Sequence, residues 1–237
     1  MTRTIVIIPT YNEKENIEAI LRAVFALQPA FDILVVDDSS PDRTAAIVKS
    51  LQKEFANRLF IEERTGKLGL GTAYIHGFKW ALAKGYEYIF EMDADFSHNP
   101  TDLPRLLDAC VTQGAGLAVG SRYVPGGEVE NWPWERRIMS RYASVYVRCV
   151  LGISIRDTTA GFVCYSRAAL EQIELDKVKF MGYAFQIEMK YRALKRGVKI
   201  IEVPITFKDR QLGVSKMSVK IFKEAFWGVI QMKRSVK

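Results

Sequence analysis

Two carboxylates separated by a single alanine, Asp93 and Asp95, follow the apolar, aromatic run YIFEM at residues 88–92. An unpaired charge at the end of a buried strand is costly, so a cation is the natural partner for this pair. Asp-x-Asp at a strand end projects oxygen ligands towards one edge of a sheet. Such ligands suit the hard ions Mg2+ and Mn2+, which bind through one or two carboxylates plus substrate phosphates. The ion would neutralise a diphosphate and stabilise a departing nucleotide as a Lewis acid. The motif alone is weak, because Asp-x-Asp occurs in many loops. Glu91, just before it, reads as a core or supporting group, and His98, beside Asn99-Pro100, as a structural histidine.

Three further clusters carry compatible chemistry. VVDDSS places Asp37 and Asp38 at a second strand end, where a carboxylate either accepts hydrogen bonds from a ribose or base or caps the following helix. TYNE offers Tyr11 for stacking and Glu13 for hydrogen bonding, although Glu13 and Glu15 also favour a helix N-terminus. Arg122 in GSRY, with Arg210 and Lys216 in KDRQLGVSK, supplies cations for phosphates: guanidinium groups bind them bidentately and lysine as a point charge. TGKLGLGTAY lacks the order of a phosphate-binding P-loop. It is either a loop closing over a nucleotide or a tight strand-to-helix connection. Each residue alone has a structural explanation; their coincidence at one sheet edge is the stronger signal.

The elements that must position these residues alternate. TIVIIP, DILVVDD, RLFIEE, YEYIFEMD and GLAVGS read as strands, and the segments between them as helices with apolar residues at helical spacing, such as Ile17, Ile20, Leu21, Val24 and Phe25. Ser39 or Ser40 is the expected cap of the second helix, with Pro41 opening it. Such alternation predicts a mainly parallel sheet covered on both faces, which binds ligands at the carboxyl ends of its strands. The second half is less regular: YVPGGEVENWPWERR reads as a long loop, RRIMSRYASVYVRCVLG as a helix, FVCYS and VKIIEVPITF as strands, and GYAFQIEMKYRALKRG as a helix. The closing segment places Val219, Phe222, Phe226, Val229 and Ile230 on one apolar face. A helix docked on its own core is preferred there over one lying in a membrane interface. Trp132, Trp134 and Trp227, with nearby arginines, are candidates to meet lipid head groups.

The bulk properties fit one sizeable α/β domain in 237 residues, with no expected transmembrane span or signal peptide, and a cytosolic location. Cys110, Cys149 and Cys164 are widely spaced, which argues against a zinc site or disulfide framework. Of the net charge of +7, +6 falls within residues 208–237, implying an anionic partner or a solvated helix face.

Together IPTYNEKENI, VVDDSSPDRT, GKLGLGTAY, MDADFSHNP, GSRY, TTAGF, GYAFQIEM and FKDRQLGVSKM resemble, in order and over nearly the whole chain, the dolichyl-phosphate (polyprenol-phosphate) mannosyltransferases among the inverting GT-A glycosyltransferases. The last three motifs are much more specific than Asp-x-Asp. The resemblance implies a GT-A, Rossmann-like nucleotide-sugar fold in one domain, with a donor-binding half at about 1–122 and an acceptor-side half at about 123–237. It implies transfer of mannose from GDP-mannose to dolichyl or polyprenyl phosphate, with inversion to a β-linked product and Mg2+ or Mn2+ as cofactor. Pro9, Tyr11, Glu13, Val36 and Asp38 would contact the nucleotide. Asp93, Ala94 and Asp95 would surround metal and diphosphate, and Arg122, Arg210 and Lys216 the donor or acceptor phosphates, with Asp95 and the three cations carrying catalysis. Ser97 stands where relatives can place a glutamine metal ligand. The lipid acceptor implies peripheral association with the cytosolic membrane face, alone or through a small membrane-spanning subunit, and no nucleic-acid partner. A polyprenyl-phosphate glucosyltransferase is the nearest rival, and a nonenzymatic nucleotide-dependent membrane-binding module a more distant one.

Overall fold

The structure, a computed structural model, describes residues 2–209 and 219–236. Its first half repeats strand and helix: β1 (Thr4–Thr10), α1 (Ile17–Phe25), β2 (Asp32–Asp37), α2 (Thr44–Leu51), β3 (Leu59–Glu63), α3 (Leu70–Ala83), β4 (Tyr88–Glu91), α4 (Leu103–Val111) and β5 (Leu117–Ser121). The second half continues with β6 (Glu128–Glu130), α5 (Trp134–Leu151), β7 (Val163–Ser166), α6 (Arg167–Ile173), α7 (Tyr183–Lys195), β8 (Ile200–Pro204), β9 (Thr206–Lys208) and α8 (Val219–Ser235).

Seven strands form one sheet in the order β3-β2-β1-β4-β7-β5-β8. All run parallel except β7, which is antiparallel to both β4 and β5. Side chains alternate across each strand. Val6, Ile8, Ile33 and Val35 pack beneath α1, α2 and α4, whereas Ile5, Ile7, Leu34 and Val36 pack beneath α3 and α7. Both faces of the central strands are therefore buried, which explains their nearly continuous apolar sequences. α3 approaches β1 closely because residue 77 is glycine: a Cβ there would lie 2.7 Å from the Ile7 side chain.

Two local expectations are corrected. Neither Ser39 nor Ser40 caps α2, and Pro41 does not open it; the helix begins at Thr44, whose N–H donates to Asp42 Oδ1 at 3.0 Å. Ser40 instead donates from its N–H and Oγ to Asp37, so the serine stabilises the turn. The Gly-, Pro- and Trp-rich loop contains β6, which pairs in parallel with β9 to form a second, two-stranded sheet.

α8 docks on α5 and α7 through Val229 and Met232, joined by Val236 just beyond its end, as the docked reading expects. Phe226 and Trp227 on the same helix are nevertheless exposed. The side chains of residues 219–225, including Val219 and Phe222, lie outside the described residues.

Candidate active site

Because β7 reverses direction between β4 and β5, the carboxyl ends of β1, β2, β4 and β5 all open on one edge. Tyr11 and Glu13 follow β1, Asp38 follows β2, Asp93 and Asp95 follow β4, and Arg122 follows β5. At the usual interstrand spacing, β4 and β5 lie roughly 10 Å apart, with β7 between them. The edge also gathers unusual backbone. Asn12, Ser39 and Phe96 have φ of 58°, 54° and 58°, one in the loop after each of β1, β2 and β4. For a bulky residue such as Phe96 this conformation costs about 1–2 kcal/mol, and clustered strain of this kind is characteristic of ligand-binding edges.

The first two loops are fastened to each other. The N–H groups of Asn12, Glu13 and Lys14 donate to Ser40 Oγ, Thr44 Oγ1 and Asp42 Oδ2 at 3.0, 3.1 and 3.1 Å. Glu13 is buried and its Oε2 accepts from Asn16 Nδ2 at 3.2 Å. Tyr11 is half-buried, with Lys67 Nζ 4.8 Å from its ring centroid. Pro9 and Val36 are register partners on β1 and β2. Val36 and Ala94 both have side chains in the core, so contacts from them to a ligand fall to the main chain.

Asp37 accepts from Thr10 Oγ1 at 2.7 Å and is fully buried, a structural role. Asp38 accepts from Arg64 Nε at 2.6 Å and from the Leu68 N–H at 3.2 Å, while Arg64 Nη1 donates to Thr72 Oγ1 at 2.7 Å. The glycine-rich segment is thus a strand-to-helix connection anchored on Asp38. Sequence reasoning missed Arg64, whose partners lie on other elements.

On β4's edge, Tyr74 Oη donates to Asp93 Oδ1 at 3.2 Å. Burial and the neighbouring Asp93 and Glu91 push the Tyr74 phenol well above its ordinary pKa, so it remains a donor. Asp95 is buried and accepts from the Ser97 N–H at 3.0 Å. Ser97 Oγ is buried without a hydrogen-bond partner among the described residues. Among those residues no group of three or more His, Cys, Asp and Glu side chains forms a metal cluster. Two carboxylates with an orphaned hydroxyl fit an ion that takes its remaining oxygens from diphosphate and water, the habit of Mg2+. His98 stacks on Phe162 at 4.9 Å and meets Phe207 edge-on at 5.4 Å. Burial lowers its pKa to about 4, against the pull of Asp95, leaving it neutral at pH 7.

Arg122 is held as a fork. Its Nε and Nη2 each donate to Asp157 at 2.7 Å, its N–H donates to the same carboxylate at 3.0 Å, and Nη2 reaches Thr159 Oγ1 at 3.0 Å. Burial tends to raise the Asp157 pKa, but the charge and hydrogen bonds of Arg122 prevail and hold it below the usual carboxylate range. Gly127 is required beside it, since a Cβ would lie 2.6 Å from the Ser121 carbonyl oxygen and 2.8 Å from the Arg122 carbonyl carbon. Arg122 also borders a groove of about 450 Å3 lined by Tyr123, Arg137, Ile138 and Arg141. Arg210 and Lys216 lie outside the described residues.

This arrangement, with the loops after β1 and β2 and an acidic pair on one edge of a mostly parallel sheet and Arg122 beside them, is that of a glycosyltransferase of GT-A fold. The chain belongs to glycosyl transferase family 2, whose model matches residues 5–174. It is 52% identical over 232 residues to the polyprenol monophosphomannose synthase of Mycolicibacterium smegmatis, covering 96% of this chain and 87% of that one. It is 46% identical to the undecaprenyl-phosphate mannosyltransferase of Micrococcus luteus, covering 96% and 94% of the two chains. Among solved structures, glucosyl-3-phosphoglycerate synthase from Mycobacterium tuberculosis, crystallised with Mn2+, UDP-glucose and phosphoglyceric acid, has the same fold, with a TM-score of 0.66 at 18% identity over 98% of this chain and 80% of that one.

Proposed function

We propose that this enzyme transfers mannose from GDP-mannose to a polyprenyl phosphate, with inversion at the anomeric carbon. The observation that carries the lipid acceptor is the surface beside Arg122. The arginine-lined groove runs along α5, which exposes Trp134, Ile138, Met139, Tyr142 and Val145, and Phe226 and Trp227 of α8 are exposed on the helix packed against it. Cations beside an apolar strip suit a phosphate carried on a hydrocarbon chain and a helix face resting on a membrane. Relatives bearing the names of lipid-phosphate mannosyltransferases at about half identity support a polyprenyl-phosphate acceptor and mannose as the transferred sugar. No helix among the described residues is long and apolar enough to cross a membrane, and the exposed strip supports peripheral docking.

In this reading residues 1–122 bind the donor and residues 123–237 the acceptor. Pro9, Tyr11, Glu13, Val36 and Asp38 bind the nucleotide, and Asp93, Ala94 and Asp95, with Ser97 Oγ nearby, hold a divalent ion and the diphosphate. The ion, Mg2+ or Mn2+, supplies Lewis-acid neutralisation of the leaving nucleoside diphosphate. Arg122, joined by Arg210 and Lys216, orients the phosphates.

An acceptor phosphate oxygen forms the new bond to the anomeric carbon as the bond to the nucleoside diphosphate breaks on the opposite face. A phosphate monoester has a second pKa of about 6 and attacks as a dianion at neutral pH, so no protein base has to remove a proton. Buried Glu188 and half-buried Glu202 support this economy. Glu188 is occupied by Arg192 at 2.8 Å and by the N–H groups of Lys179 and Phe180, and Glu202 by Ser121 Oγ and the N–H groups of Arg156 and Asp157.

The test is transfer from labelled GDP-mannose to a polyprenyl phosphate in detergent with Mg2+ or Mn2+, with UDP-glucose in parallel. A metal-dependent mannolipid is expected. A glucolipid alone would replace the donor, and absence of lipid product from both donors would overturn the reading.

A further inference from the structure

Lys190, on α7, is fully buried, and isolated buried ammonium groups are strongly disfavoured. Its three donors have specific acceptors: Ala160 O at 2.6 Å, Gln186 O at 3.2 Å and Gln186 Oε1 at 3.3 Å. Gln186, one helical turn earlier on the same face, turns its other end outward: Nε2 donates at 2.7 Å to Glu91, also fully buried. Tyr165 Oη, from β7, lies 3.4 Å from the second Glu91 oxygen. The amide therefore stands between a carboxylate and an ammonium, with its N–H end towards the first and its carbonyl towards the second. Burial raises the Glu91 pKa against the pull of Lys190, and lowers that of Lys190 against the pull of Glu91 and Asp157.

The position of Ala160 gives this network its meaning. It lies in the turn between α5 and β7 that also carries Asp157 and Thr159, the partners of Arg122. Glu91 ends β4, so the lysine has one anchor in the sheet and one grip on the turn. A methionine would fill the same volume without the cost of a buried charge, so packing does not account for the residue.

We propose that Lys190, braced through Gln186 against Glu91, is a positioning residue that fixes the 157–160 turn and thereby aims Arg122 at the phosphates. The proposal rests on the transfer reading for its kinetic consequence, but its structural consequence stands apart from it.

The experiment compares wild type, Lys190→Met, Arg122→Gln and the double variant in the mannolipid assay, with crystal structures of wild type and Lys190→Met. Lys190→Met should move the Arg122 guanidinium by about 1 Å, a displacement that can lower turnover ~100-fold. Affinity for GDP with Mn2+ should fall no further than it does in Arg122→Gln, because any effect of Lys190 on the diphosphate runs through that guanidinium. The double variant should be no slower than Arg122→Gln alone, since a residue acting through another shows non-additivity. Multiplying effects, or an unmoved Arg122 in the variant crystal, would overturn the proposal. If wild type makes no lipid product, the transfer reading fails while the crystal comparison still decides the positioning role. Should Lys190→Met not fold, Lys190→Gln, whose amide stops one bond short of the lysine nitrogen, is judged by the same displacement and the same cycle.

Discussion

At the ends of β1 and β2, polar side chains bind each other across loops: Thr10 to Asp37, Ser40 to the Asn12 N–H, and Arg64 to Asp38. Along α5 the arrangement is reversed. Trp134 is 68% exposed and Tyr142 is 70% exposed, and Ile138, Met139 and Val145 are also uncovered. The loops proposed to hold the nucleotide are organised by internal hydrogen bonds, as electrostatic catalysis requires. The surface of α5 keeps apolar area in water that only an outside partner can cover. One region satisfies its polar groups internally, and the other leaves apolar side chains in water.

The contrast is broken most severely at the acidic pair. Asp95→Ala should lower mannolipid formation by about 10³-fold, with a folded protein by circular dichroism, because the loss falls on diphosphate neutralisation. Asp157→Asn strikes the boundary between the regions. Leaving Arg122 buried without its carboxylate should cost about 3 kcal/mol in urea unfolding. Asp157 has a depressed pKa in the folded state, so its contribution is complete above the unfolded value of about 4 and is lost as pH falls through the lower folded value. Wild-type stability should therefore retain this contribution at pH 5 and lose it at more acidic pH, and the asparagine variant should lack that component. Gly127→Ala, which presses a methyl group against the Arg122 backbone, should cost roughly 1–3 kcal/mol in urea unfolding and slow transfer. The smallest change sharpens the comparison: Ile138→Ser should leave unfolding within about 0.5 kcal/mol. Its binding to anionic vesicles, measured by flotation, should weaken by about tenfold, the worth of one buried aliphatic side chain. Equal vesicle binding by variant and wild type would remove α5 from the membrane contact.

The regular half of the fold was legible because burial on both faces writes itself into short apolar runs, and the carboxylates at their ends then share an edge. What escaped the sequence depends on distant partners. β6 has three residues and exists through its pairing with β9, far along the chain. Asp157 acquires its role only where β5 brings Arg122 to it. Arg64 and Lys190 carry no local motif; their roles come from Asp38 and from Ala160. Neither serine caps α2 because Asp37 has already captured Ser40; the N-cap position falls to Arg43, and the Thr44 N–H donates to Asp42. Arg137 and Arg141, which line the groove, sat unremarked in a helix that the sequence placed correctly.

The reversed strand β7 also sets a timetable for synthesis. Strands β3, β2, β1 and β4 can assemble once residue 91 has left the ribosome, but β4's open side waits for residues 163–166. β5 emerges in the interval, and neither of its sheet neighbours, β7 and β8, yet exists. A nascent chain paused between residues 122 and 162 therefore presents three strand edges still to be paired, one on β4 and both of β5, the state in which a chain pairs most readily with a stranger. Fast translation through this window, or a chaperone that shields it, would favour soluble enzyme.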